Sequence, residues 1–156
     1  MIKKLLFKAL SRPIIQPAYR QFRGLTIGTR TVVFDAGGQV LLVRHSYSPG
    51  WQFPGGGVER GETVYAAAIR ELREEAAVEA LETPVLYGIF DASHQFPGDH
   101  VCCFIVRNFT RGDWKPSSEI ADARFFATSS IPEDATNGTK RRLAEIAGGA
   151  EISPFW

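Results

Sequence analysis

Residues 56–78 read GGVERGETVYAAAIRELREEAAV. The chain enters it through Ser48-Pro49-Gly50-Trp51-Gln52-Phe53-Pro54-Gly55-Gly56-Gly57, which is too rich in glycine and proline for a regular element and is expected to be an irregular loop. Thr63 is suited to cap a helix, and Tyr65, Ala68, Ile69, Leu72 and Ala76 then recur on one face, which predicts a helix to about residue 77. Glu71, Glu74 and Glu75 are spaced as i, i+3 and i+4, so their carboxylates are expected on one side of that helix, away from the apolar stripe. Crowded carboxylates disfavour one another's ionised forms, and a divalent cation reverses that preference. Mg²⁺ takes hard oxygen ligands and is commonly shared between carboxylates and substrate phosphates. The alternative is a solvated acidic face on which Arg70 and Arg73 pair with the glutamates.

Working outward, residues 25–35 (LTIGTRTVVFD) and 39–45 (QVLLVRH) are strand-like and flank an Ala-Gly-Gly turn, which predicts a hairpin. Further strands are expected near 84–91, 100–109 and 123–127. A last helix is expected from about Thr139 to Ala147, stopping at Gly148-Gly149. One well-defined helix between two groups of strands implies an α/β fold in which a mixed sheet lies between helices. Residues 1–24 form a basic extension and residues 25–156 the domain proper. Within the extension, Ile2, Leu5, Leu6, Ala9 and Leu10 fall at helical spacing, and Pro13 ends the pattern. That helix suits packing on its own domain, a homodimer contact, or a weak membrane-surface contact through residues 2–12.

The 156 residues suit one globular domain, and no apolar run reaches the length of about 20 needed to cross a bilayer. Neighbouring Cys102 and Cys103 point to opposite faces of a strand, which opposes their pairing, and nothing indicates an oxidising compartment, so a cytoplasmic location is expected. The net charge is +1, yet residues 1–34 carry Lys3, Lys4, Lys8, Arg12, Arg20, Arg23 and Arg30 and no acid. Only that segment is suited to attract lipid, RNA or substrate phosphate.

The box resembles the signature of the Nudix (MutT-like) hydrolases, G, five residues, E, seven residues, then R-E-U-x-E-E-x-G-U, with U a bulky aliphatic residue. The matching positions are Gly56, Glu62, Arg70, Glu71, Leu72, Glu74, Glu75 and Val78. Trp51-Gln52-Phe53-Pro54-Gly55-Gly56 resembles the family's W-x-x-P-G-G lead-in, and the likeness spans roughly residues 25 to 147. One position departs: Ala77 stands where the family has a glycine able to take the left-handed conformation of a helix cap, at a cost of about 1 kcal/mol.

The resemblance implies a Nudix-type α/β/α sandwich and Mg²⁺-dependent hydrolysis, with Mn²⁺ as a substitute, of a phosphoanhydride bond in a nucleoside diphosphate linked to another moiety. Nucleoside triphosphates, ADP-ribose and nucleotide sugars fall in that class. It implies metal held by Glu71, Glu74, Glu75 and the Gly55 carbonyl, Arg70 orienting the carboxylates, and Glu62 bracing the junction of loop and helix. Glu71 and Glu119 are the two candidates for the base. Arg44 is a candidate phosphate contact; Tyr47, Trp51, Phe90 and Phe96 are candidates to stack on a base, and His94, Gln95 and His100 to hydrogen-bond sugar or base. Two other readings remain, a Nudix-fold nucleotide-binding or regulatory module without turnover and an RNA 5′ pyrophosphohydrolase. No separate DNA-binding domain is visible.

Overall fold

The computed structural model describes residues 24–156. The expected N-terminal helix, and the membrane and dimer readings attached to it, lie outside the described residues. Three small sheets build the frame. In the first, β1 (Thr26–Val33) runs parallel to β6 (Asp99–Val106), and β5 (Val85–Asp91) pairs antiparallel with the other edge of β6. In the second, β2 (Val40–His45) lies between β3 (Trp51–Gln52) and β8 (Ile120–Phe126), antiparallel to both. The third is a ribbon of β4 (Val78–Ala80) and β7 (Phe109–Arg111).

Helix α1 (Val64–Ala76) and helix α2 (Asn137–Ile146) cover opposite sides of this frame, which is the expected sandwich. On the α1 side, Leu72 and Ala76 pack with Val33, Leu41, Val43, Val106 and Ile120. Fully burying a side chain such as Leu72 contributes about 2 kcal/mol. On the α2 side, Leu143 packs with Val32, Leu42, Trp51, Phe53, Phe90 and Trp156. Cys102 and Cys103 are buried and unpaired, as their place in β6 predicts. No helix among the described residues is long and apolar enough to cross a membrane.

The expected hairpin does not form. Residues 35–39 make a tight turn, with the Asp35 carboxylate accepting from the Gly37 and Gln39 amides, but beyond one bridge, Phe34 to Val40, the two strands diverge into different sheets. The better partner for β1 is β6, some seventy residues away, because that pairing buries Thr29, Thr31, Val32 and Val33 in the interior. The loop before the helix is not wholly irregular either. Trp51 and Gln52 form β3 against Arg44 and Val43, while the Thr31 and Thr29 amides donate to the Pro54 and Gly56 carbonyls. Residues 51–58 are thus stitched to β2 on one side and β1 on the other, and they fill the gap the diverging strands leave.

Helix α1 begins as expected, Thr63 Oγ1 accepting from the Ala66 amide at 3.1 Å. Its buried face matches the expected one at Ala68, Leu72 and Ala76 but is shifted at its edges. Ala67, Ala68, Leu72, Glu75 and Ala76 are buried, whereas Tyr65 is 39% exposed. Ala77 takes the left-handed conformation, φ 54° and ψ 34°, despite its methyl group. The helix end is held by the last residue of β7 and the segment that follows it: Arg111 Nε donates to the Ala76 carbonyl, and the Gly112 amide and the Trp114 indole to those of Ala77 and Glu75. Those orphan carbonyls would otherwise go unpaired, and their capping keeps the strained residue in place.

Candidate functional site

The three box glutamates do not share one exposed side. Adjacent helix positions differ by about 100°, so Glu74 and Glu75 cannot point the same way. Glu74 faces solvent, Glu71 is half-buried, and Glu75, only 3% exposed, turns inward beneath the glycine loop. Its Oε2 accepts from the Gly55 amide at 2.8 Å. Its Oε1 lies 3.2 Å from His45 Nε2.

Arg70 gathers the outer carboxylates. Its Nε and Nη2 donate to the two oxygens of Glu62 at 3.0 and 3.1 Å, Nη1 to Glu71 at 2.7 Å and Glu74 at 3.2 Å, and Nη2 to the Gly57 carbonyl at 3.1 Å. The planar fork of arginine suits such multiple pairing. Glu62 also accepts from the Glu59 amide, tying the turn before α1 to the arginine. Its pKa is depressed by Arg70 first and by that amide second.

The loop is glycine where side chains cannot go. At Gly55, φ is 146° and a Cβ would overlap the Thr29 carbonyl, and at Gly56 it would lie 2.5 Å from Glu71 Oε1. Glu71 therefore abuts the loop directly. The Gly55 carbonyl accepts from Arg30 Nη1 at 2.6 Å, and the Phe53 carbonyl from the same nitrogen at 3.1 Å.

Glu119 precedes β8 and reaches the same place through the pairing of β2 with β8. The register shifts between Arg44 and His45, and the Ser46 amide donates to the Glu119 carbonyl at 2.8 Å. Glu119 Oε1 accepts from the Tyr47 hydroxyl at 3.2 Å.

The electrostatics are those of too much negative charge in too little water. Burial raises the Glu75 pKa to about 7; the Gly55 amide and Arg30 oppose this, while Glu71 and Glu119 add to it. Glu71 is also raised, by burial first, with Glu74 and Glu119 adding and Arg70 opposing. His45 is shifted the other way, by burial and then by the Arg30 charge, so it stays neutral near pH 7. Arg30 is lowered by burial, against the pull of Glu75 and Glu71. Clustered hard oxygens, a glycine-only cradle and a neutral imidazole fit a divalent cation by their donor chemistry.

Beside the glycine loop opens a cleft of about 430 Å³, lined in part by Arg30, Gln52, Gly56, Gly57, Gln95, Thr136 and Trp156. Of the sequence candidates for substrate contact, only Gln95 lines it. Trp51 is buried edge-on against Phe126, and Phe90 is buried against Trp156 and under Arg142. Arg44 is exposed and, with Tyr47, lines a separate, more open hollow beside His45, and His94 is exposed in the loop after β5. Tyr47 and Phe96 are exposed, and His100 is half-buried. Arg30, His45 and Trp156 were not singled out from the sequence for a role in the site. The first two carried a signal: each is a basic side chain in a strand whose alternate positions are apolar or small, at a place that faces inward.

The family model described as NUDIX domain matches residues 24–146. The chain belongs to the NUDIX family. Among relatives of this NUDIX chain, the ADP-ribose pyrophosphatase of Methanocaldococcus jannaschii is 27% identical over 105 residues, covering 65% of this chain and 62% of the relative. A Bacillus subtilis protein provisionally named an 8-oxo-dGTP diphosphatase is 27% identical over 132 residues, covering 81% and 83%. The crystal structure of a MutT NUDIX hydrolase from Burkholderia pseudomallei superposes with a TM-score of 0.67 at 21% identity, over 78% of this chain and 97% of that one. That likeness establishes the shared fold, in agreement with the sandwich expected from the sequence.

Proposed function

We propose that this NUDIX protein hydrolyses a phosphoanhydride bond in a nucleoside diphosphate joined to a further group, in the class of nucleoside triphosphates, ADP-ribose and nucleotide sugars. One observation carries the reading: Glu71, Glu75 and the Gly55–Gly57 backbone converge at the edge of the cleft, with Arg70 bracing Glu71 from outside. Glu71, Glu74, Glu75 and the Gly55 carbonyl would hold Mg²⁺, for which Mn²⁺ substitutes, and the cation would supply charge neutralisation for the phosphates. The Gly55 carbonyl would then share or exchange its bond to Arg30.

The chain's own groups divide the remaining work. Arg30 extends along the cleft and supplies positive charge for a phosphate. Gln52, Gln95 and Thr136 offer hydrogen bonds for a sugar or base, and the volume suits a nucleotide-sized ligand. Between the two candidates for the proton acceptor, Glu71 is favoured by its place against Gly56, which lines the cleft. Glu119 stands on the other side of Glu75, beside His45 and Tyr47. The names of the relatives put ADP-ribose and 8-oxo-dGTP first among substrates to try.

The test is a Mg²⁺-dependent phosphate-release screen over nucleoside triphosphates, 8-oxo-dGTP, ADP-ribose, dinucleoside polyphosphates and nucleotide sugars, beside Glu74→Gln and Glu75→Gln. Either substitution removes charge from the cluster, and kcat is expected to fall at least about a hundredfold. Unchanged turnover in both would reassign the site. Tight nucleotide binding with no turnover in the parent would instead favour the binding module.

A further inference from the structure

His45 has no evident reason to be buried. It ends β2, where Leu41 and Val43 take the inward positions before it, and apolar residues would continue that pattern at no electrostatic cost. Instead an imidazole sits there, 6% exposed, with neither ring nitrogen making a hydrogen bond among the described residues. Nε2 lies 3.2 Å from Glu75 Oε1, yet the two groups are not aligned as donor and acceptor. A buried polar group left unpaired costs about 1–3 kcal/mol, so the side chain is retained against a penalty. The ligand atoms of His45, Glu75 and Glu119 all lie within 4.8 Å of one another, a spacing at which one ion can touch all three. The Tyr47 hydroxyl occupies only one oxygen of Glu119, and the Gly55 amide only one of Glu75, so each carboxylate keeps an oxygen free.

We propose that His45 is a nitrogen ligand in the cation site, joined to Glu75 and Glu119, and that it biases the site toward cations that accept imidazole over Mg²⁺. The inference rests on the reading of the glutamate cluster as a divalent-cation site and adds a donor to it. Mg²⁺ favours oxygen donors, whereas imidazole suits the later divalent ions of the first transition row, and Mn²⁺ accepts both kinds of ligand. Glu75 belongs to both ligand groups and so links His45 to the carboxylates of α1.

Mn²⁺ tests this directly, because electron spin echo modulation detects nitrogen bound to the ion whether or not substrate turns over. The full chain, stripped with EDTA and given one equivalent of MnCl₂, is expected to show ¹⁴N modulation that changes to the ¹⁵N pattern when its histidines are ¹⁵N-labelled. His45→Gln is expected to abolish it and to weaken Mn²⁺ binding about tenfold or more, while Mg²⁺ affinity measured by competition moves less. Bound Mn²⁺ without nitrogen modulation in the parent chain would overturn the role of His45 and leave the glutamate site standing. Absence of Mn²⁺ binding would overturn both. Should His45→Gln fail to fold, as judged by its melting in EDTA, the labelled parent spectrum decides alone, read beside His94→Gln and His100→Gln, which are expected to leave the modulation intact.

Discussion

Each of the two helices among the described residues buries a glutamate, and the two glutamates are treated oppositely. Glu145 on α2 sits one turn from Arg142, whose Nη2 donates to it at 2.7 Å, and the Ser153 amide donates to the same oxygen at 3.0 Å. Arg142 also reaches the Ser153 and Phe155 carbonyls and lies 3.8 Å over the Phe90 ring. Charge there is matched by charge, and the pair fastens the 153–156 segment to the core. Glu75 on α1 has a backbone amide and a misaligned imidazole, and the nearest guanidinium, Arg30, spends its hydrogen bonds on backbone carbonyls. A buried charge with its partner in place serves the architecture. One without such a partner is, under the proposed reading, left for a cation.

The contrast can be broken from either end. The largest effect is expected at α2: Arg142→Leu leaves Glu145 buried and unpaired and should cost about 3–5 kcal/mol in urea unfolding, with Arg142→Leu/Glu145→Leu recovering part of the loss. Next comes the acid dependence of the metal-free protein. Because the folded-state pKa of Glu75 is raised to about 7 from an ordinary value of 4.5, its contribution to stability is fully present below pH 4.5 and is lost as pH rises toward 7. In EDTA the loss across that window should be on the order of 3 kcal/mol. Melting temperatures in EDTA at pH 5 and 7.5 check this, and Glu75→Gln should flatten the difference. Added Mg²⁺ should restore stability at pH 7.5 in the parent but not in Glu75→Gln. In activity, Glu75→Gln should lower kcat about a hundredfold, some 2.7 kcal/mol in barrier, while leaving the EDTA-treated fold at pH 7.5 at least as stable as the parent. The smallest effect lies at the end of α1, where Ala77→Gly should relieve the left-handed strain and raise stability by about 1 kcal/mol without altering kcat.

Much of α1 was legible because its signals are local. The Thr63 cap, the helical period and the box spacing all lie between Gly56 and Val78, and the family resemblance rests on the same stretch. Position along that helix was read less well. Treating Glu71, Glu74 and Glu75 as one exposed face ignored the turn of about 100° between neighbours, which sends Glu75 into the core. Long-range pairing was the harder limit. Nothing near β1 indicates that Val101–Val106 will lie beside it, and the Ala-Gly-Gly turn argued for the wrong partner. Glu119 was singled out by its place before a strand, but its meeting with His45 depends on how β8 aligns with β2. Trp156 reaches the cleft only because α2 and Asp91 hold its segment there, a contact no local pattern announces.

The splaying of β1 from β2 has a practical consequence. The two strands touch only near Phe34 and Val40, like blades at a pivot, and everything chemical lies toward their open tips, where Arg30 and His45 flank residues 53–57. The exposed Gly37-Gly38 bend is therefore the handle end of the instrument. A fluorophore or an affinity peptide grafted at that bend would sit at the opposite end of the two strands from residues 53–57, and is expected to leave the glycine loop and the glutamates beside it undisturbed.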